Sequence, residues 1–199
     1  GIASYEMIPF EATRYHEGIS EVIDKNKDTK VEVVPYNPEW PKQFDQLAQE
    51  LKDILGDNLI EIHHIGSTSV PGLAAKPVID VIPVVRDVDA VDALNSVFES
   101  KGYEVKGELG MISRRFFVKN AGDRTRSANI HVWPEGSPQI ERHLIFRDYL
   151  RLHPEVAQDY ANLKQKLAQD YPYTREGYTG GKEDWIANVV AKARGELKR

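Results

Sequence analysis

A chain of 199 residues with 41% hydrophobic content has the length and the apolar supply to bury one core, and two full domains would be cramped in it. Its formal charge of -5 and pI near 5.7 argue against broad electrostatic capture of nucleic acid, which needs a basic stripe to neutralise phosphates, while leaving room for a local basic pocket. The absence of cysteine removes disulfides, thiolate metal sites and a cysteine nucleophile from the options. No apolar run nears the roughly 18 residues that read as a membrane span, and the N-terminal stretch lacks an apolar signal core. The expectation is a cytoplasmic protein with no membrane partner.

Gly1 to Glu6 precede Met7, the first methionine, and read as an expression remnant without functional weight. Residues 7 to 30 show no sustained period and end in a polar run from Asp24 to Lys30, so residues 1–30 read as an extension and 31–199 as the domain. Alternation over Val31-Glu32-Val33-Val34 suggests a short strand. Asn37-Pro38 then supplies a helix start, and Trp40, Phe44, Leu47, Leu51 and Ile54 recur at helical spacing before Gly56 stops the helix. Leu59 to Ile65 reads as a strand that ends in the turn-rich Gly66-Ser67-Thr68-Ser69. Val78 to Val85 has the β-branched content of a buried strand, with Asp80 its one charge.

Asp87 caps a predicted helix with Val91, Leu94 and Phe98 on its apolar face, ended by Gly102. Strands follow at Tyr103 to Val105, Ile112 to Lys119 and Ala128 to Trp133, separated by glycine-containing turns that predict antiparallel pairing. Three helices close the chain. Ser137-Pro138 starts the first, which runs to about His153. Pro154 opens a second carrying Val156, Tyr160, Leu163 and Leu167, and the third is expected from Glu183 to about Lys198.

The order strand, Gly66-Ser67-Thr68-Ser69, short turn, strand with Asp80 has a physical use. Glycine lets a phosphate approach the backbone, and hydroxyls and free amides hold its oxygens. A carboxylate on the neighbouring strand then suits a divalent ion such as Mg²⁺ or Mn²⁺. Ser67, Thr68 and Ser69 also read as ordinary capping residues, and Asp80 as a buried carboxylate held by backbone donors, Lys76 or Arg115. Only one of Arg114 and Arg115 shares a sheet face with Phe117. Lys182, after Gly180-Gly181 at the expected helix start, is a phosphate candidate because a cation opposes the helix dipole there unless an anion binds. Tyr178 and Trp185 read first as packing for the terminal helix and second as a base-stacking pair.

The run from His64 to Asp80, with Arg142-His143-Leu144-Ile145-Phe146-Arg147-Asp148-Tyr149-Leu150-Arg151 and Tyr178-Thr179-Gly180-Gly181-Lys182 in order behind it, resembles the signature of the GrpB family. That family is in turn similar to nucleotidyltransferases. The resemblance implies an α/β (α+β) fold, a mixed sheet flanked by helices with its site at the Gly-Ser turn. It implies a nucleotide or phosphorylated small molecule as partner, and nucleotidyl transfer to an acceptor as an activity. Some members are fused to a kinase of coenzyme A synthesis, but this chain has no Gly-x-x-x-x-Gly-Lys-Ser/Thr loop.

The superfamily pattern places two carboxylates one residue apart on the strand after the turn, so that both face one metal site. Here Asp80 matches and Ile82 replaces the second. His131 stands where a later strand commonly supplies a third carboxylate. The residues expected at the site are Gly66, Ser67, Thr68, Ser69, Lys76, Arg115, Arg147 and Lys182 around phosphate, Asp80 for metal, and Asp80 with His131 for chemistry. Two further readings stand beside the enzyme: a binding module without turnover, which the loss at Ile82 favours, and a two-histidine, one-carboxylate transition-metal site from His64, Asp80 and His131.

Overall fold

The helix with the strongest amphipathic spacing forms as expected. In the computed structural model, which describes residues 32–123 and 125–197, α1 spans Trp40–Leu55 and buries Trp40, Ala48, Leu51, Ile54 and Leu55. The Asn37 side chain accepts from the Glu39 amide at 2.9 Å, so this residue starts the turn leading into the helix. Gly56 ends the helix at φ +57°, a conformation that suits a residue without Cβ. Residues 7–30 lie outside the described residues, as does Val31 at the head of the first expected strand. Of that strand, Val34 makes a single antiparallel bridge with Ala75.

Five strands form one sheet: β1 (Leu59–Ile65), β2 (Ile79–Val85), β3 (Tyr103–Gly107), β4 (Arg115–Asn120) and β5 (Arg126–Pro134), in the order β1-β2-β5-β4-β3. The β3–β4 and β4–β5 pairs are antiparallel, as the glycine-containing turns predicted. The β2–β5 pair is parallel and the β1–β2 pair antiparallel, so the sheet is mixed. Pro83 is tolerated in central β2 because the β2–β5 register skips Ile82 and Pro83, where the missing N–H removes no ladder bond. β4 begins at Arg115, three residues later than expected, because Leu109 and Ser113 adopt positive φ of 44° and 68° in the preceding turn.

The two sheet faces carry different cores. On one, α1 and the short α2 (Asn95–Ser100) cover Ile79, Val81, Val85, Phe117, Ile130 and Val132. A 3₁₀ segment over Asp89–Leu94 precedes α2 where one helix was expected, with the Asp87 carboxylate accepting from the Asp89 amide at 3.0 Å. The other face carries Ile65, Ile82, Val84 and Trp133 under Ile140 and Leu144 of α3 (Pro138–Leu152). Helices α4 (Pro154–Asp170) and α5 (Arg175–Leu197) pack on α3 and on Val70 and Leu73 of the turn between β1 and β2.

Helix α5 starts at Arg175, well before the expected Glu183. Gly180 and Gly181 therefore lie inside a helix and do not precede one. A Cβ on Gly181 would come within 2.4 Å of the Leu167 side chain on α4, whereas one on Gly180 would meet nothing within 4 Å. Close helix packing thus explains one glycine of the pair.

Candidate functional site

The end of β1 delivers the chain to Gly66 at φ +73°, followed by a 3₁₀ turn over Ser67–Ser69. Asp80 lies directly across the ladder from Ile65, so its side chain rises beside the turn. A Cβ on Gly66 would stand 2.9 Å from Asp80 Oδ2. Glycine is required here twice, by its backbone angle and by the nearness of the carboxylate. Together they wall a cavity of about 300 Å³ that Lys76, Arg126, Lys164 and Lys182 also line.

Period two on the neighbouring strand decides Asp80's partners. Asn129 and His131, two apart on β5, donate to Asp80 Oδ1 at 3.1 and 3.3 Å, and Arg126 Nη1 donates to Asn129 Oδ1 at 3.3 Å. Burial pushes the Asp80 carboxyl up. The bonds from His131 and Asn129, with Lys182 nearby, outweigh that and hold it below its ordinary value. His143 reaches the same cavity from α3, its ring 6.3 Å from that of His131. Burial lowers its imidazole to about 4, with His131 and Arg142 acting in the same direction.

The cations come from four separate parts of the chain: Lys76 from the β1–β2 connection, Arg126 from β5, Lys164 from α4 and Lys182 from α5. Lys182, in the second turn of α5, lies over the Tyr178 ring at 4.6 Å, and Lys76 lies over the same ring at 5.1 Å. Lys164 of α4 is 1% exposed, donates to the Ala74 carbonyl and lies 4.7 Å from the Tyr160 ring centroid. Burial, followed by Lys182 and Lys76, lowers its ammonium to about 7. Burial also lowers Lys182, against the attraction of Asp80 and Glu183.

Several expected site residues are placed elsewhere. Arg115 shares a sheet face with Val132, opposite the face of His131, and pairs with Asp92 at 2.7 Å and Asp89 at 3.0 Å. It therefore neither lines the cavity nor holds Asp80. Arg114 is on the His131 side instead, its guanidinium 4.9 Å from the Phe116 ring. Arg147 donates to the His64 carbonyl at 3.1 Å and pairs with Asp148 at 2.9 Å. Together with Arg151, whose Nε and Nη2 bond the Ser69 carbonyl at 3.0 and 2.8 Å, it braces the turn from behind.

The three hydroxyls divide as well. Ser69 Oγ donates to the Gly66 carbonyl at 2.5 Å, and Thr68 Oγ1 bonds His64 Nε2 at 2.9 Å, so both spend their hydroxyls holding the turn. Ser67 lines the cavity and meets the Tyr160 hydroxyl.

The transition-metal reading fails on geometry. His64 lies across from Val81, stacks on Phe44 at 4.8 Å and 8°, and so faces away from Asp80 and His131. A two-metal centre does not fit either. Ile82, on the face of Asp80, is fully buried and has no donor. Among the described residues no three His, Cys, Asp or Glu side chains form a group able to hold a metal ion. Asp80 and His131 remain as two donors beside an ammonium.

Lys164 and Arg126 were not anticipated from sequence. A signal for Lys164 was present: it lies four residues after Tyr160 and three before Leu167, a charge on the apolar stripe of its helix. Tyr178 and Trp185 are packing residues. Tyr178 is 1% exposed, and Trp185 stacks on Tyr160 at 4.9 Å and 7°.

Comparison with known proteins gives the same outline. UPF0157 protein YqkA of Bacillus subtilis is 44% identical over 165 residues, 83% of this chain but 48% of that protein, so the chain spans about half of this relative. The crystal structure of the conserved protein GrpB from Enterococcus faecalis superimposes with a TM-score of 0.79 and 40% identity, covering 84% of this chain and 100% of that one. The GLD-2/RNP-8 complex matches with a TM-score of 0.51 and 12% identity, over 82% of this chain and 61% of that one, a likeness of fold. The GrpB protein family profile matches residues 30–192, and on that match and these relatives the chain belongs to the GrpB family.

Proposed function

We propose that the chain binds a nucleotide or another phosphorylated small molecule in the cavity between the Gly66 turn and β5. The observation that carries this reading is the charge of the wall: in an acidic protein, Lys76, Arg126, Lys164 and Lys182 converge there with Asp80 as the single carboxylate among the described residues. Desolvated cations gain most from an anion that replaces lost water. Ser67 and the Gly66 backbone add hydrogen-bonding surface beside them.

Calorimetric titration with nucleoside triphosphates and sugar phosphates, with and without Mg²⁺ or Mn²⁺, tests this reading. Binding of at least one phosphorylated compound is expected, and heats indistinguishable from dilution across the panel would refute it. If a divalent ion joins the ligand at Asp80, Asp80→Asn removes the metal-dependent part of the affinity; an affinity unchanged by the substitution would place Asp80 outside metal binding.

The Asp80–His131 contact supports a second reading, nucleotidyl transfer. An acceptor hydroxyl oxygen would bond to the α-phosphorus as the bond to the pyrophosphate oxygen breaks, with the hydroxyl proton passing to the Asp80–His131 pair. Release of pyrophosphate across candidate acceptors is the test. His131→Ala is expected to lower such a rate by roughly 10²-fold or more.

A further inference from the structure

The ammonium groups of Lys164 and Lys182 in the cavity have aromatic rings as neighbours in place of carboxylates. Lys164 lies against Tyr160 and Lys182 against Tyr178, and among the described residues neither has a carboxylate within ion-pair distance. A carboxylate partner would cancel a cation's charge, whereas an aromatic face attracts it without adding a counter-charge. This arrangement leaves both lysines without an ion pair at contact distance inside a small space, with Asp80 and Glu183 attracting Lys182 from farther off.

The same contacts occupy the rings. Tyr178 is buried with Lys76 and Lys182 against it, and Tyr160 has Lys164 on one side and Trp185 stacked on it. Of the imidazoles on the wall, His131 is bonded to Asp80 and packs against Phe116 at 5.0 Å. Both tyrosine rings are thus already engaged, which leaves less aromatic surface on which a base would stack. The volume, about 300 Å³, lies at the small end of the roughly 300–1,000 Å³ found for ligand sites. It matches a phosphoryl head group better than a whole nucleoside triphosphate.

We propose that the cavity selects a compact phosphoanion through Lys164 and Lys182, with no nucleobase contact and no bridging divalent ion. This rests on the phosphate-binding reading above and narrows its ligand class. The lysines take over the charge neutralisation for which Asp80 and Ile82 supply too few metal donors.

The test is calorimetric titration of the full chain with tripolyphosphate, ATP and adenosine, each in EDTA and in excess Mg²⁺. Tripolyphosphate is expected to bind in EDTA within about threefold of ATP, and adenosine not at all. Lys164→Met and Lys182→Met are each expected to weaken tripolyphosphate binding by roughly tenfold or more, with circular dichroism confirming that each variant is folded. Should one fail to fold, the other carries the test. ATP binding about tenfold or more above tripolyphosphate, a strict need for Mg²⁺, or full affinity in a folded lysine variant would overturn the inference while leaving phosphate binding intact. Absence of binding by both phosphate probes would overturn the inference, and silence of the sugar phosphates as well would overturn the phosphate-binding reading with it.

Discussion

Gly66 holds its place through two constraints that alanine violates together. Its φ of +73° is strained for a side chain, and the added Cβ would stand 2.9 Å from Asp80 Oδ2. Gly66→Ala is expected to destabilise the fold by about 1–3 kcal/mol, read from urea unfolding, and to reduce phosphate affinity by displacing Asp80. Lys164 makes a different residue-scale prediction. Its ammonium faces Lys182, Lys76 and the Tyr160 ring, and burial brings it to about 7 from 10.5. Because the folded value is depressed, the unfolded chain holds more protons between the two values, so stability rises with pH across that window. Below about pH 7 the full cost of the buried charge is present in the folded state. Lys164→Met should remove that rise between pH 7 and 10, followed by chemical denaturation. The slope is the readout, since the substitution also orphans the Ala74 carbonyl. An equal slope in wild type and variant would show that folding does not lower the lysine's pKa.

At the scale of elements, the cavity is held by three pieces that meet only in the fold. Asp80 and its partners come from adjacent strands, the turn is braced by Arg147 and Arg151 of α3, and Lys164 and Lys182 arrive on α4 and α5. The α4–α5 contact is close enough that Gly181 has no room for a methyl beside Leu167, while Gly180 faces open space. Gly180→Ala is therefore expected to stabilise the chain by about 0.5–1 kcal/mol through helix propensity. Gly181→Ala should lose that gain and a further 1 kcal/mol or so through overpacking, and weaken ligand binding because Lys182 is the next residue. Paired denaturant titrations of the two variants separate these effects. Equal stabilisation by both would show that the helices yield.

Across the whole molecule, net negative charge and a positive cavity act over different ranges. At physiological ionic strength the Debye length is about 8 Å, so the acidic exterior is screened from an approaching anion more strongly than the desolvated lysines are from a bound one. A phosphoanion that binds only the folded state is expected to add about 2.7 kcal/mol of stability at a hundred times its dissociation constant. This appears as a rise in the thermal midpoint that Lys182→Met diminishes. Among the described residues no helix is long and apolar enough to cross a membrane, in line with the absence of a long apolar run.

The sequence by itself determined the elements whose rules are local. The apolar spacing of α1, the β-branched run of β2 and the proline starts at Pro138 and Pro154 all follow from neighbours within a few residues. The loss of a metal donor at Ile82 was legible through the family resemblance, and the nearness of Gly66 to Asp80 needed the pairing that sets Ile65 opposite Asp80. Tertiary structure alone decided which faces meet. Alternation predicted that Arg114 and Arg115 diverge, but the pairing of β4 with β5 chose which one joins the side of His131, and likewise sent His64 to the opposite face from Asp80. Two adjacent glycines place the start of α5 after them in sequence, until Leu167 is seen packed against one of them. Lys164 reaches a carbonyl 90 residues earlier in the chain. A period in sequence tells which residues share a face, and only long-range packing settles what that face meets.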